Sequence, residues 1–332
     1  MGTEISDMKL FLKIIAGLVG LIIVLAIIGW RVPDFVSKPA PAKSYADALA
    51  KFKALQKSEA ELPLGAAGKS RIFVHGAKTQ RVFVLLHGLT NAPEQFVPMA
   101  KILFDEGANV VIPRARYAGF ADLLNDVQGL QSGQDLLDQA ALGLDIAAGL
   151  GERVTLVGLS GSAVAAAWMG QNRDGIDSLV LLAPFFSMQG KMTFVVDVQT
   201  AALSVLPNFY IWWNPDLRER NPGPPQAYPR FGTRTMAGTL QLSRSVRAHA
   251  GSAPLRVRNL DIVVSGSERA VDNSLARRMA GDWLCERLDS VTFFEFPEAD
   301  GVPHDMIDPL QPEAQTEISY AKILSLPGMQ VP

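Results

Sequence analysis

The sequence predicts an α/β domain, a mostly parallel sheet with helices on both faces, preceded by one apolar helix of membrane-spanning length. Three observations carry this. Short apolar runs, FVLLH (83–87), NVVIP (109–113), RVTLVGL (153–159) and SLVLLA (178–183), alternate with longer helical stretches. Strands apolar on both sides belong to a parallel sheet buried on both faces. The run IIAGLVGLIIVLAIIGW (14–30) carries no charge and is long enough to cross a bilayer. The chain has 332 residues, and roughly 290 follow that run, enough for one large domain with a substantial core.

The N-terminal segment, residues 1–32, reads as a transmembrane anchor contacting the membrane through residues 10–30. Leu10, Phe11 and Leu12 extend the apolar run if Lys13 reaches back to the headgroups. A cleaved signal peptide is the rival reading, but the run exceeds the usual apolar core of a signal and no small-residue cleavage site follows closely. Lys9 and Lys13 on one side face Arg31, Lys38 and Lys43 on the other, so the positive-inside count does not decide orientation. A very short tail with two lysines favours the non-cytoplasmic face for the domain.

Residues 33–63 read as a spacer and helical linker: PDFVSKPAPAK (33–43) has three prolines, and Tyr45 to Leu62 is rich in helix formers. The domain is expected over 64–332. It opens with Arg71–Val74 and Arg81–His87, read as a hairpin across Gly76 to Thr79. Helices are expected near 134–149 and 161–171. After Ala183 the strand pattern breaks, and about 185–251 reads as a mainly helical lid insertion containing FYIWW (209–213) and the turn-rich NPGPPQAYP (221–229). The sheet resumes at LDIVVS (260–265), with a helix from Asn273 and a strand VTFFEF (291–296).

Charge excludes one class of partner. Lys plus Arg (31) nearly balances Asp plus Glu (33), so there is no basic excess to neutralise a nucleic-acid backbone. The single cysteine, Cys285, lies in a stretch of helical spacing (Leu275 to Leu288) and reads as a core or half-buried thiol. The histidines lack the close spacing of a zinc centre and no Gly-rich phosphate loop is present, so neither metal nor cofactor is expected.

The chemistry gathers around VTLVGLSGS (154–162), a strand running into Gly-Leu-Ser-Gly-Ser and then into the alanine-rich start of a helix. A serine on a sharp strand-to-helix turn projects its hydroxyl above the sheet, with helix N-terminal amides aimed at a developing oxyanion. That makes Ser160 the candidate nucleophile. The usual pattern ends in glycine; here Ser162 stands in that place. Upstream, His87-Gly88-Leu89-Thr90 closes a strand, where a loop amide can join that of the residue after the nucleophile. The candidate oxyanion donors are the backbone N–H groups of Leu89 and Gly161.

A serine hydroxyl needs a base to accept its proton. Of the four histidines, His75 and His87 precede the serine and His249 precedes the resumed strand, which leaves His304 in GVPHDMID (301–308). The orienting acid belongs on the loop GSERAVDNSLA after LDIVVS, which offers Glu268 and Asp272. Asp272 stands before a helix start and has capping to explain it. Glu268 is favoured, with Asp272 the alternative and Asp300 and Asp305 behind them.

Together HGLTNAPEQF (87–96), GLSGS (158–162), SGSERAVDN (265–273) and PHDMI (303–307) resemble the microbial carboxylesterase and monoacylglycerol-lipase branch of the α/β-hydrolases, over about Arg81 to Leu324. The resemblance implies an α/β-hydrolase fold and a serine hydrolase cleaving carboxylic esters of short or medium acyl chains or monoacylglycerols, through an acyl-enzyme on Ser160. In that branch the acid loop often reads D-x-x-V-D with its first carboxylate catalytic, a position that falls on Glu268. IPRARYAGFADLL (112–124) has Gly119-Phe120 where the branch usually has Gly-His. The aromatics around Trp212 and Trp213 suit an apolar acyl group or lid–core packing. A non-catalytic binding protein of the same fold, or an acyltransferase, thioesterase or peptidase using the same residues, stand as alternatives.

Overall fold

The computed structural model describes residues 2–219, 223–252, 254–284 and 288–331; Cys285 lies outside the described residues. The chain starts with α1 (Gly2–Gly29) and α2 (Tyr45–Ala60), then β1 (Arg71–Phe73), β2 (Thr79–Leu86), α3 (Val97–Asp105), β3 (Asn109–Ile112), α4 (Gly133–Ala147), β4 (Gly151–Leu159), α5 (Gly161–Asn172) and β5 (Ser178–Leu182). An insertion follows with α6 (Thr193–Val205), β6 (Tyr210–Trp212), β7 (Arg230–Gly232) and α7 (Thr233–His249). The chain returns through β8 (Asn259–Ser265), α8 (Asn273–Trp283), β9 (Ser290–Phe296) and α9 (Thr316–Ile323). The main sheet has the order β1-β3-β2-β4-β5-β8-β9, parallel except for β1.

The central strands are apolar on both sides because both sides are covered: every residue of β3 and β5 is buried. The core runs through β2, β4, β5 and β8 and into α4 and α5. Stacked crossovers place the C-terminal ends of β2, β4, β8 and β9 on one edge, where an open parallel sheet holds its chemistry.

The expected hairpin does not form. β1 pairs antiparallel with β3, not with β2. Fully buried β3 needs partners on both edges, and β2 supplies one while β1 covers the other. The buried Asn109 side chain fixes this arrangement: it accepts from His75 N (2.9 Å) and donates to Ala77 O (2.8 Å) and Leu150 O (2.8 Å).

Residues 33–63 lie against the domain. Ala42 N donates to Asp145 O (2.7 Å), and the Gln134 amide brackets Val36 with bonds of 3.1 and 2.8 Å. Ala42, Ala48 and Phe52 belong to the core, and buried Glu59 pairs with Arg114 at 3.2 Å. The prolines set an extended path, and the small Ala40 and Ala42 let it lie flat on α4.

α1 contains the one segment among the described residues that is long and apolar enough to cross a membrane, Met8–Gly29, with mean hydropathy 2.9 over its most apolar stretch. At 22 residues it spans roughly 33 Å at 1.5 Å per residue. Its C-terminal end rests on the insertion. Gly29 abuts Ala201, where a Cβ would collide with the carbonyl, and the Trp30 ring lies 6.1 Å from Phe194 with the Arg244 guanidinium 4.3 Å over it.

The insertion is mainly helical, but FYIWW is more ordered than the sequence suggests. Its centre forms β6, paired antiparallel with β7. That pairing alternates the side chains, leaving Ile211 exposed and Tyr210 and Trp212 half-buried.

Candidate active site

β4 delivers Ser160 onto a turn with φ 56° and ψ −116°, in the region that costs a side chain strain. The strain is held by neighbours: Ser160 N donates to Leu182 O (2.9 Å), while Ser160 O accepts from Ala163 N (3.1 Å) and Phe185 N (3.2 Å). Gly158 is required by the same turn, since a Cβ there would sit 2.7 Å from Ala163 Cα. Ser162 shows why the last position of the motif tolerates a non-glycine. Its buried hydroxyl donates to His87 O at 2.6 Å and ties the start of α5 to the end of β2.

His304, on the loop after β9, places Nε2 3.0 Å from Ser160 Oγ and Nδ1 2.7 Å from Glu268 Oε2. Glu268 is 1% exposed and follows β8 directly. Its other oxygen, Oε1, accepts from Arg269 N (2.9 Å), Ala270 N (2.6 Å) and Val271 N (3.2 Å). Burial alone would raise the Glu268 pKa, but His304 and these amides outweigh it and hold the carboxyl below its ordinary value. Burial pulls His304 down, and the facing Glu268 carboxylate reverses this, so the imidazole lies above 6.5. With Nδ1–H directed at the carboxylate, Nε2 is free to accept the serine proton.

The other acids lie elsewhere. Asp272 caps α8, its Oδ1 accepting from Ser274 N (2.9 Å) and Leu275 N (3.1 Å). Asp272→Ala is expected to lower stability by about 1 kcal/mol and to leave turnover unchanged, a combination read by thermal melting beside steady-state rates. Asp300 lies in the short turn Glu298–Asp300. Asp305 Oδ2 accepts from Gln95 Nε2 (2.6 Å) and Gln311 Nε2 (2.7 Å).

The two oxyanion candidates sit on neighbouring loops. Gly161 begins α5, and a Cβ on it would lie 3.2 Å from Leu89 Cδ1, so the two loops touch. His87, set aside as a base, organises this loop. Nδ1–H donates to Gly88 O (3.0 Å), and Nε2 accepts from Ala115 N (3.1 Å). Burial pushes its pKa down to about 4, so it stays neutral and keeps both bonds. Because a trans peptide points C=O and N–H in opposite directions, fixing Gly88 O turns the Leu89 N–H the other way.

The insertion closes over the same loop. Trp213 Nε1 donates to Thr90 Oγ1 (3.0 Å) and Tyr228 N to Thr90 O (2.8 Å), while the Trp213 ring packs at a tilt against Phe231, centroids 4.3 Å apart. The Tyr228 hydroxyl accepts from Phe120 N at 3.0 Å, within the stretch that departs from the Gly-His pattern.

Behind His304, burial and the nearby Asp305 push Asp308 up to about 7 from 3.8. The fold therefore favours its protonated form. The associated stability is complete below the ordinary value and is lost as pH rises towards 7. Asp308→Asn is expected to flatten the fall in Tm across that window, measured by calorimetry at stepped pH.

Residues 77–281 match the family described as serine aminopeptidase, S33. The chain belongs to that family. The matched stretch includes Ser160 and Glu268, and His304 lies beyond it. No curated protein matches the chain. Among solved structures, a monoacylglycerol lipase from Paleococcus ferrophilus is 17% identical and aligns at TM-score 0.56, with 76% of this chain and 96% of that one covered. A soluble variant of monoglyceride lipase from Saccharomyces cerevisiae gives 12%, 0.58, 79% and 92%. One of the metagenome-derived lipolytic enzymes LipS and LipT gives 11%, 0.57, 78% and 97%. At such identities the neighbours establish the α/β-hydrolase fold.

Proposed function

We propose that this S33-family chain is a carboxylic ester hydrolase working through an acyl-enzyme on Ser160. The observation that carries the reading is the unbroken row Glu268–His304–Ser160, with contacts of 2.7 and 3.0 Å. The esterase and lipase neighbours support esters as the substrate class.

In this reading Ser160 attacks the ester carbonyl while His304 Nε2 takes its proton and returns it to the leaving alcohol. His304 then activates water to release the acid. Glu268 holds the imidazole and stabilises its charged form. Leu89 and Gly161 amides bind the developing oxyanion. The insertion over 185–251 serves as a lid whose aromatic face, around Trp213, meets an apolar acyl chain; lipid-derived esters suit it. Residues 8–29 act as a membrane anchor, with the domain on the non-cytoplasmic side.

The test is labelling of the purified full chain with a fluorophosphonate. Wild type is expected to take one label, and Ser160→Ala none; equal labelling of the two would end the serine reading. The family description favours a second reading, an aminopeptidase using the same residues. Comparing p-nitrophenyl esters of increasing length with aminoacyl p-nitroanilides separates them, since ester-only turnover excludes it.

A further inference from the structure

The oxyanion loop is held by a side chain outside the Ser160–His304–Glu268 row. Gln95, buried in the turn just before α3, accepts from Gly88 N through Oε1 at 2.8 Å and donates through Nε2 to Asp305 Oδ2 at 2.6 Å. The orientation of this carboxamide follows from its partners: a backbone N–H can only donate and a carboxylate can only accept, so Oε1 must face Gly88 and Nε2 must face Asp305. Asp305 is suited to this task. Asn91 Nδ2 (3.4 Å) and Gln311 Nε2 (2.7 Å) also point at its Oδ2, making it an acceptor surrounded by donors. It is also the residue next to His304.

We propose that Gln95 is a positioning residue for the oxyanion loop, locked into one carboxamide orientation by Asp305. The two peptides that flank the Gly88 Cα are then both held, His87–Gly88 through its N–H and Gly88–Leu89 through its C=O. His87 Nδ1 and Asn91 N hold Gly88 O (3.0 and 3.2 Å), and Gln95 holds Gly88 N. With Gly88 held at both its N–H and its C=O, the Leu89 N–H, opposite the Gly88 carbonyl in the trans peptide, keeps one direction. The same link connects the His304 loop to the oxyanion loop across the sheet edge, so base and oxyanion donor keep one spacing. This inference rests on the serine-hydrolase reading above.

The polarity of the link provides its test. Gln95→Met removes the acceptor for Gly88 N. Asp305→Asn removes the charge and makes one of the two carboxylate positions a donor, so the Gln95 carboxamide is no longer locked in one orientation. Each is expected to lower kcat for a p-nitrophenyl ester by about 10- to 100-fold, with KM within about twofold, because a misaimed oxyanion donor weakens the transition state more than the ground state. Gln95→Glu combined with Asp305→Asn reverses the pair: the introduced amide donates, and the introduced carboxylate accepts from it while still accepting from Gly88 N. This double variant is expected to recover most of the lost kcat, which a merely structural role would not produce. Wild-type kcat in both single variants, or a double variant no better than either, would overturn the proposal. Fluorophosphonate labelling rates on the same proteins separate the two levels. An unlabelled wild type overturns the serine reading and this inference with it, whereas Gln95→Met labelled at the wild-type rate overturns this inference alone.

Discussion

Ser160→Ala and His304→Ala are each expected to cut kcat for ester cleavage on the order of 10⁶-fold, and the double variant by no more than either alone. The reason is mutual dependence. The Ser160 hydroxyl is a poor nucleophile until His304 Nε2, 3.0 Å away, accepts its proton, and the imidazole has nothing to activate once the hydroxyl is gone. Removing the second partner therefore removes little more. The residual rate should come from the Leu89 and Gly161 amides and from substrate binding, so KM should change far less than kcat. Steady-state kinetics on a p-nitrophenyl ester, with thermal melting to verify folding, measures this. Additive losses in the double variant would mean that the two residues act separately.

How far the sequence discloses this arrangement depends on how local each feature is. The strands of the sheet are legible because burial on both faces forces apolar runs, and Ser160 because the strand, turn and helix around it are contiguous. The order Ser, acid, His leaves His304 by elimination. The acid is harder, since Glu268 and Asp272 share one loop and only capping separates them; the cap bonds from Ser274 N and Leu275 N occupy Asp272, while Glu268 turns to His304. Pairing is where local reading fails. Nothing in Arg71–Val74 says that its partner is β3 and not the next strand. The motif's departure at Ser162 is likewise opaque, because the His87 carbonyl that accepts its hydroxyl is far away in the chain. Gln95 and Asp305 are 210 positions apart, and no spacing rule joins them. The membrane-length helix is read from composition, but its contact with the insertion through Trp30 and Gly29 is tertiary.

Glu268→Gln should cost about 10⁴-fold in kcat while leaving the fold intact, and it should also move the pH profile. The carboxylate does two things for His304: it selects the tautomer with Nδ1 protonated, and it stabilises the imidazolium formed when Ser160 attacks. Glutamine keeps the size and can keep the bonds at Oε1 from Ala270 N and Val271 N, but its amide facing Nδ1 favours the wrong tautomer. The pH shift has a definite sign. His304 works as a base only when neutral, and Glu268 holds its pKa above 6.5, so wild-type kcat/KM should rise with pH through a midpoint above that value. Without the carboxylate, burial is opposed only by the weaker influence of Asp305, and the midpoint should move to lower pH. Asp272→Asn changes charge in the same loop without facing His304, so it should leave the midpoint in place. A Glu268→Gln variant with near-wild-type turnover and an unmoved midpoint would remove Glu268 from the mechanism.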